Sequence, residues 1–165
     1  MTSILGVGTT VHVLLPIATE SAVENASAAR TEAVQGNGRR VLYVDDEDAM
    51  VFLVERLLKI QGYIVEGYTD THKALQAITA RASEFDLVVT DFNMPGHSGL
   101  DIAAAVANVR SDLPVVITSG YIDDRLREGA RRLNICEIVH KPNTVDELCA
   151  ALGRILSSKR GASEA

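Results

Sequence analysis

The sequence predicts an α/β domain over residues 40–158: a five-stranded parallel sheet with helices on both faces. Three observations carry that prediction. Five short runs rich in β-branched residues recur along this stretch, each separated from the next by a longer amphipathic segment, the alternation of a parallel sheet wrapped by its crossover helices. Several runs are apolar at consecutive rather than alternate positions, as strands covered on both faces must be. The chain of 165 residues is 47% hydrophobic, enough for one sizeable core.

The first run, "VLYV" at 41–44, stops against the acidic cluster Asp45, Asp46, Glu47 and Asp48. A helix over roughly 48–61 follows, and Glu47 and Asp48 suit the positive end of its dipole. The second run is "YIVEGY" at 63–68, with a helix over roughly 70–82; the third is "DLVVTD" at 86–91, with a helix over roughly 98–110. Ser98 and Asp101 make a capping box at that helix's start, a hydroxyl and a carboxylate three residues apart that satisfy free amides. The fourth run, "PVVITS" at 114–119, leads to a helix over roughly 123–133. Leu126, Ala130 and Leu133 are nearly its only apolar residues, so this helix is expected to be the least firmly packed. Its Arg125, Arg127, Arg131 and Arg132 read as a solvated face. The fifth run, "EIVHK" at 137–141, precedes a helix over roughly 144–157 that opens on a second capping box, Thr144 and Glu147.

Outside this unit the composition changes. Residues 17–39 are rich in Ala, Ser, Glu and Gly without aromatics and read as a linker, and 159–165 as a flexible tail. A formal net charge of -6 is unsuited to tracking phosphate backbones, so direct nucleic-acid binding is not expected. The apolar N-terminus lacks a basic leader and is interrupted by "GTT" and His12, so neither a signal peptide nor membrane contact is expected, and the chain reads as cytoplasmic. Cys136 and Cys149 have no metal spacing and read as reduced, packed thiols. His12, His72, His97 and His140 suggest no shared ligand set and read as loop or solvent-facing residues.

In an open parallel sheet, ligands gather beyond the carboxyl ends of the strands. Those ends carry Asp45 and Asp46, then Asp91, then Thr118, Ser119 and Gly120, then His140, Lys141 and Pro142. Like-charged carboxylates crowded together are tolerable around a divalent cation, and a hard, oxygen-rich set suits Mg2+. Such an ion keeps Asp91 ionised, so that one of its oxygens can attack phosphorus, while Lys141 and Ser119 donate to the phosphoryl oxygens.

This set, with "DFNMPGHSGLD" at 91–101, resembles the receiver domain of bacterial two-component response regulators, a flavodoxin-like (βα)5 fold. The resemblance implies that Asp91 is the phosphoacceptor, that Asp45, Asp46, Asp91 and the backbone carbonyl of Asn93 hold Mg2+, and that Ser119 reorients toward the phosphoryl group while Lys141 pairs with it. It implies a small residue at Gly120 and a cis peptide at Lys141–Pro142. One departure stands out: receivers commonly carry Tyr or Phe three residues before the lysine, whereas here that switch position is Ile138. A branched aliphatic chain cannot make the inward ring rotation.

The stretch "GVGTTVHVLLP" at 6–16 resembles the closing strand of a histidine-kinase ATP-binding domain. On that resemblance, residues 1–16 are the remnant of such a strand and the receiver is the C-terminal one of a hybrid sensor histidine kinase. With the nucleotide-binding boxes and the phosphorylatable-histidine helix missing, no ATP-dependent activity is expected of this fragment, and no DNA-binding output domain is expected after residue 158. The expected partners are a histidine kinase's phosphohistidine-bearing dimerisation domain or a histidine phosphotransfer protein, and the fourth-helix face is where two copies would pair. The alternative is a magnesium-dependent aspartyl phosphohydrolase. Such enzymes place the nucleophile after the first strand in a DxDx[TV] pattern, and here Asp46-Glu47-Asp48 is followed by Ala49.

Overall fold

The structure is a computed structural model and describes residues 2–4, 6, 8–10, 12, 36–133, 135–141 and 145–158. The chain divides into two units, Met1–Ala33 and Val34–Ala165. In the first, β1 (Thr2–Ile4) pairs antiparallel with β2 (Gly8–Thr10), Thr2 opposite Thr10 and Ile4 opposite Gly8. Gly6 lies between them at φ 76°, a left-handed conformation that glycine adopts without steric cost.

The second unit alternates strand and helix: β3 (Arg40–Val44), α1 (Asp48–Ile60), β4 (Ile64–Tyr68), α2 (Thr71–Arg81), a 3-10 turn (Ala82–Glu84), β5 (Leu87–Asp91), α3 (Gly99–Val109), β6 (Val115–Ser119), α4 (Asp124–Arg132), β7 (Glu137–His140) and α5 (Val145–Ser158). The five strands form one parallel sheet in the order β4-β3-β5-β6-β7. Strand order therefore reverses between β3 and β5, the switch point at which open α/β sheets bind ligands.

Three apolar clusters fix the layers. On one face Val41, Tyr43 and Val89 pack with Val51, Val54 and Leu58 of α1 and Leu148, Leu152 and Ile155 of α5. On the other, Leu42, Val44 and Val88 pack with Ala74 and Ile78 of α2 and Ile102, Ala103 and Val106 of α3. Alternate residues of β3 feed opposite clusters, as the period of two demands. β5 and β6 are buried along their whole length, while the outer strands β4 and β7 are largely half-exposed.

Helix starts follow local chemistry. Asp70 accepts from the amides of His72 and Lys73, Asp123 accepts from that of Leu126, and the Ser98–Asp101 capping box is formed. The fourth helix buries two side chains, Leu126 and Ala130, fewer than any of the three helices before it. Leu126 is wholly buried against Phe92 and Ile117, with Leu100, Ile122 and Ile138 around them, and its four arginines face solvent.

Residues 36–39, expected as the end of the linker, are bonded to the sheet unit: Gly36 N donates to Gln61 O at 2.7 Å, Gly38 N to Gly62 O at 2.8 Å, and Arg39 Nη1 to Leu156 O at 2.6 Å. Cys136 corrects the expectation of a packed thiol, because it lies just before the edge strand β7 and is exposed. The Cys149 side chain, Pro142 with its expected cis bond, Thr144, and the linker and tail at 17–35 and 159–165 lie outside the described residues.

Candidate functional site

The carboxyl ends of β3, β5, β6 and β7 bring together much of what the sequence assigned to them. Asp45 follows β3 directly and is wholly buried; Asp91 ends β5 and is 3% exposed. Between them stands the ammonium of Lys141, just past β7, with Nζ 3.3 Å from Asp45 Oδ2 and 3.4 Å from Asp91 Oδ1. Glu47 Oε1 lies 3.7 Å from the same nitrogen. The remaining carboxylate oxygens are held by nearby amides: Glu47 N donates to Asp45 Oδ1 at 3.0 Å, and Asn93 N to Asp91 Oδ2 at 3.2 Å.

The electrostatics follow from burial. Desolvation, reinforced by repulsion from Asp45, outweighs the attraction of Lys141 and the Asn93 amide and pushes the Asp91 carboxyl above its ordinary range. Burial works against the Lys141 charge, but Asp91 and Asp45 overcome it and hold the ammonium above its usual value. Two buried carboxylates thus share one cation.

Not every expected residue joins this centre. Asp46, at the bend after β3, is exposed and makes no hydrogen bond or ion pair among the described residues. Among the described residues no three His, Cys, Asp or Glu side chains are grouped as a metal cage. The donor chemistry nonetheless fits a hard divalent cation: buried carboxylate oxygens exceed their single counter-charge, and Asp46 and the Asn93 carbonyl lie one and two residues from the pair. Ser119 is buried at the end of β6, but its hydroxyl donates to Tyr121 O at 2.7 Å and accepts from Tyr121 N, and so is closed onto its own turn. Ile138 is half-buried against the Phe92, Ile117 and Leu126 cluster.

Three further features were missed. Tyr43 donates its hydroxyl to Asp45 Oδ2 at 3.1 Å. Burial first, then Asp45, pushes this phenol far above its ordinary value, so it remains a donor throughout the working pH range. The period of two that puts residues 43 and 45 on one face was the available signal. Gly99 packs so closely under the loop that a Cβ there would lie 2.5 Å from the Asp91 carbonyl oxygen. His72 and His97, read from the sequence as loop or solvent-facing residues with no shared ligand set, pack edge to face with ring centroids 4.9 Å apart, and His97 Nδ1 is 3.4 Å from Thr71 Oγ1. They come from α2 and the loop after β5, which only the folded topology brings together.

A family model described as the response regulator receiver domain matches residues 41–153. The two-component response regulator ARR14 of Arabidopsis thaliana is 32% identical over 114 residues, 68% of this chain and 29% of that protein. The sensor protein EvgS of Escherichia coli K12 is 26% identical over 153 residues, 91% of this chain and 12% of that protein. Among solved structures, the response regulator protein TrrA of Thermotoga maritima in complex with Mg2+ and BeF is 27% identical with a TM-score of 0.61, covering 71% of this chain and 98% of that one. The chain belongs to the response regulator receiver domain family, the phosphoacceptor fold of two-component signalling, which favours that reading over the phosphohydrolase. It spans less than a third of the length of these curated relatives. Among the described residues no helix is long and apolar enough to cross a membrane.

Proposed function

We propose that this chain accepts a phosphoryl group from a phosphohistidine onto Asp91, within a hybrid sensor kinase. The observation that carries the reading is the buried Asp45–Lys141–Asp91 cluster at the sheet's switch point. An oxygen of the Asp91 carboxylate attacks phosphorus, the new P–O bond forms as the P–N bond breaks, and the imidazole leaves as the neutral base after taking a proton from solvent. Lys141, already held between the two carboxylates, balances the charge of the acyl phosphate. The Ser119 hydroxyl exchanges its bond to Tyr121 O for a phosphoryl oxygen, and that exchange biases the loop between β6 and α4. Asp45, Asp46, Asp91 and the Asn93 carbonyl would hold Mg2+, which would neutralise the charge of the phosphoryl oxygens. The complex of the similar TrrA with Mg2+ and BeF supports that cofactor.

The hybrid context draws its support from the sensor protein EvgS, because an alignment covering 91% of this chain takes in residues before the receiver. The partner is then a phosphohistidine on a kinase dimerisation domain or a phosphotransfer protein, and the working compartment is the cytoplasm. Incubation with a small acyl phosphate and Mg2+ tests the chemistry. One phosphoryl group per chain by intact mass is expected, and none in Asp91→Asn. Multiple-turnover hydrolysis of phosphate esters, or undiminished labelling of the Asn variant, would overturn it.

A further inference from the structure

We propose that Tyr43 is a positioning residue of the phosphoacceptor site: its hydroxyl holds the Asp45 carboxylate in place so that Lys141 can change partners. The inference rests on the phosphoacceptor reading and extends it to a residue on the floor of the sheet. Asp45 receives three donors, the Glu47 amide on Oδ1 and both the Tyr43 hydroxyl and the Lys141 ammonium on Oδ2. They differ in how firmly they are fixed. The Glu47 amide is main chain at the N-cap of α1, and Tyr43 is a rigid ring, 2% exposed, locked among Val41, Val54, Leu148 and Leu152. Lys141 is a long flexible chain, 28% exposed, shared with Asp91 and Glu47.

Phosphorylation of Asp91 draws the ammonium toward the new phosphoryl oxygens and weakens its hold on Asp45. A wholly buried carboxylate oxygen cannot make good that loss with bulk water. The phenolic hydroxyl supplies a donor that stays in place, so Asp45 keeps one orientation before and after transfer. The same grip presents Asp45 to a cation in a fixed plane, the part that hydrogen-bonded outer-shell groups play toward ligating carboxylates.

The test compares the unmodified chain with Tyr43→Phe, which keeps the packed ring and deletes only the donor, and with Tyr68→Phe, whose hydroxyl bonds Glu66 outside the site. Mg2+ affinity is read by titration calorimetry. Tyr43→Phe is expected to bind Mg2+ roughly tenfold or more weakly with Tyr68→Phe unchanged, whereas Tyr43→Phe affinity within about twofold of the parent overturns the proposal. Should Tyr43→Phe not fold, proton NMR of the unmodified chain decides. A slowly exchanging Tyr43 hydroxyl resonance that persists at saturating Mg2+ supports the role, and its loss overturns it. Failure of the unmodified chain to take up Mg2+ or phosphoryl groups would instead sink the phosphoacceptor reading itself.

Discussion

The buried Asp91 carboxyl carries a cost in stability. A carboxyl whose pKa is raised on folding binds its proton more tightly in the native state than in the unfolded chain. Between the ordinary carboxylate value and the raised one, stability therefore falls as pH rises, and above both it stays at the lower level. Near pH 7 the ionised side chain strains against its burial and against Asp45, with Lys141 as the shared compensation. Asp91→Asn keeps the shape and removes the charge. It should raise the melting temperature by a few degrees at neutral pH while abolishing phosphorylation. The gain should shrink as the pH is lowered toward the ordinary carboxylate range, where the native acid is itself neutral. Calorimetry across that range checks the sign, and a variant less stable than the parent at neutral pH would show that Asp91 is a structural anchor.

At the scale of elements, the loop from β5 to α3 is held at both ends. Phe92 N donates to Thr118 O at 2.8 Å, and Gly99 N donates back to Phe92 O at 3.1 Å. Gly99 is needed here for space: its missing Cβ would meet the Asp91 carbonyl oxygen and the Phe92 Cα, neither of which can swing away. Gly99→Ala should cost about 1–3 kcal/mol, the usual penalty of overpacking, and slow phosphorylation by shifting the backbone that carries Asp91. Denaturant titration and the labelling rate measure the two effects, and a variant with parental values in both would dismiss the tight packing. The helix that begins at Gly99 was legible in the sequence because Ser98 and Asp101 state their bond locally, and α1 because Val51, Val54 and Leu58 repeat at helical spacing. What escaped was non-local or dual in character. Tyr43 counts as one more apolar strand residue until its hydroxyl meets Asp45, and Gly99 is an ordinary helix residue until β5 lies beneath it. Asp45 and Asp46 look equivalent in a string of acids, and only the fold separates them, burying Asp45 and leaving Asp46 exposed at the bend after β3. Lys141 was legible as a donor at a strand end, but its place between two buried carboxylates depends on the register of β6 with β7 and on Lys141 N donating to Ser119 O at 2.6 Å.

For the molecule as a whole, the response to acid combines groups of opposite sign. Asp91 favours the native state as it takes up its proton, whereas Glu66 and Asp101 are ionised more readily in the native state than in the unfolded chain and lose their contribution on acidification. Glu66 is the larger of these, pulled down from 4.5 to about 2 chiefly by hydrogen bonds from Arg81, with Arg40 and Tyr68 assisting. It sits on the outer strand β4 and ties β3 and α2 to that edge: Arg40 Nη2 reaches Oε1 and Arg81 Nη2 reaches Oε2, each at 2.8 Å, while Glu84 lies 3.3 Å from Arg40. For a lowered carboxyl pKa the stabilisation is fully present above about 4.5 and is lost as the pH falls to about 2. Screening limits it, because the Glu66 side chain is 25% exposed and both arginines are 37% exposed. Glu66→Gln should therefore lower unfolding free energy by about 1–2 kcal/mol near neutral pH, with the deficit closing as the carboxyl of the parent protonates. Urea titrations of the two proteins at neutral and acid pH provide the measurement. A gap that stays constant with pH would assign the role of Glu66 to packing, and the edge of the sheet would then owe its hold to the apolar contacts of Val65 and Ile78.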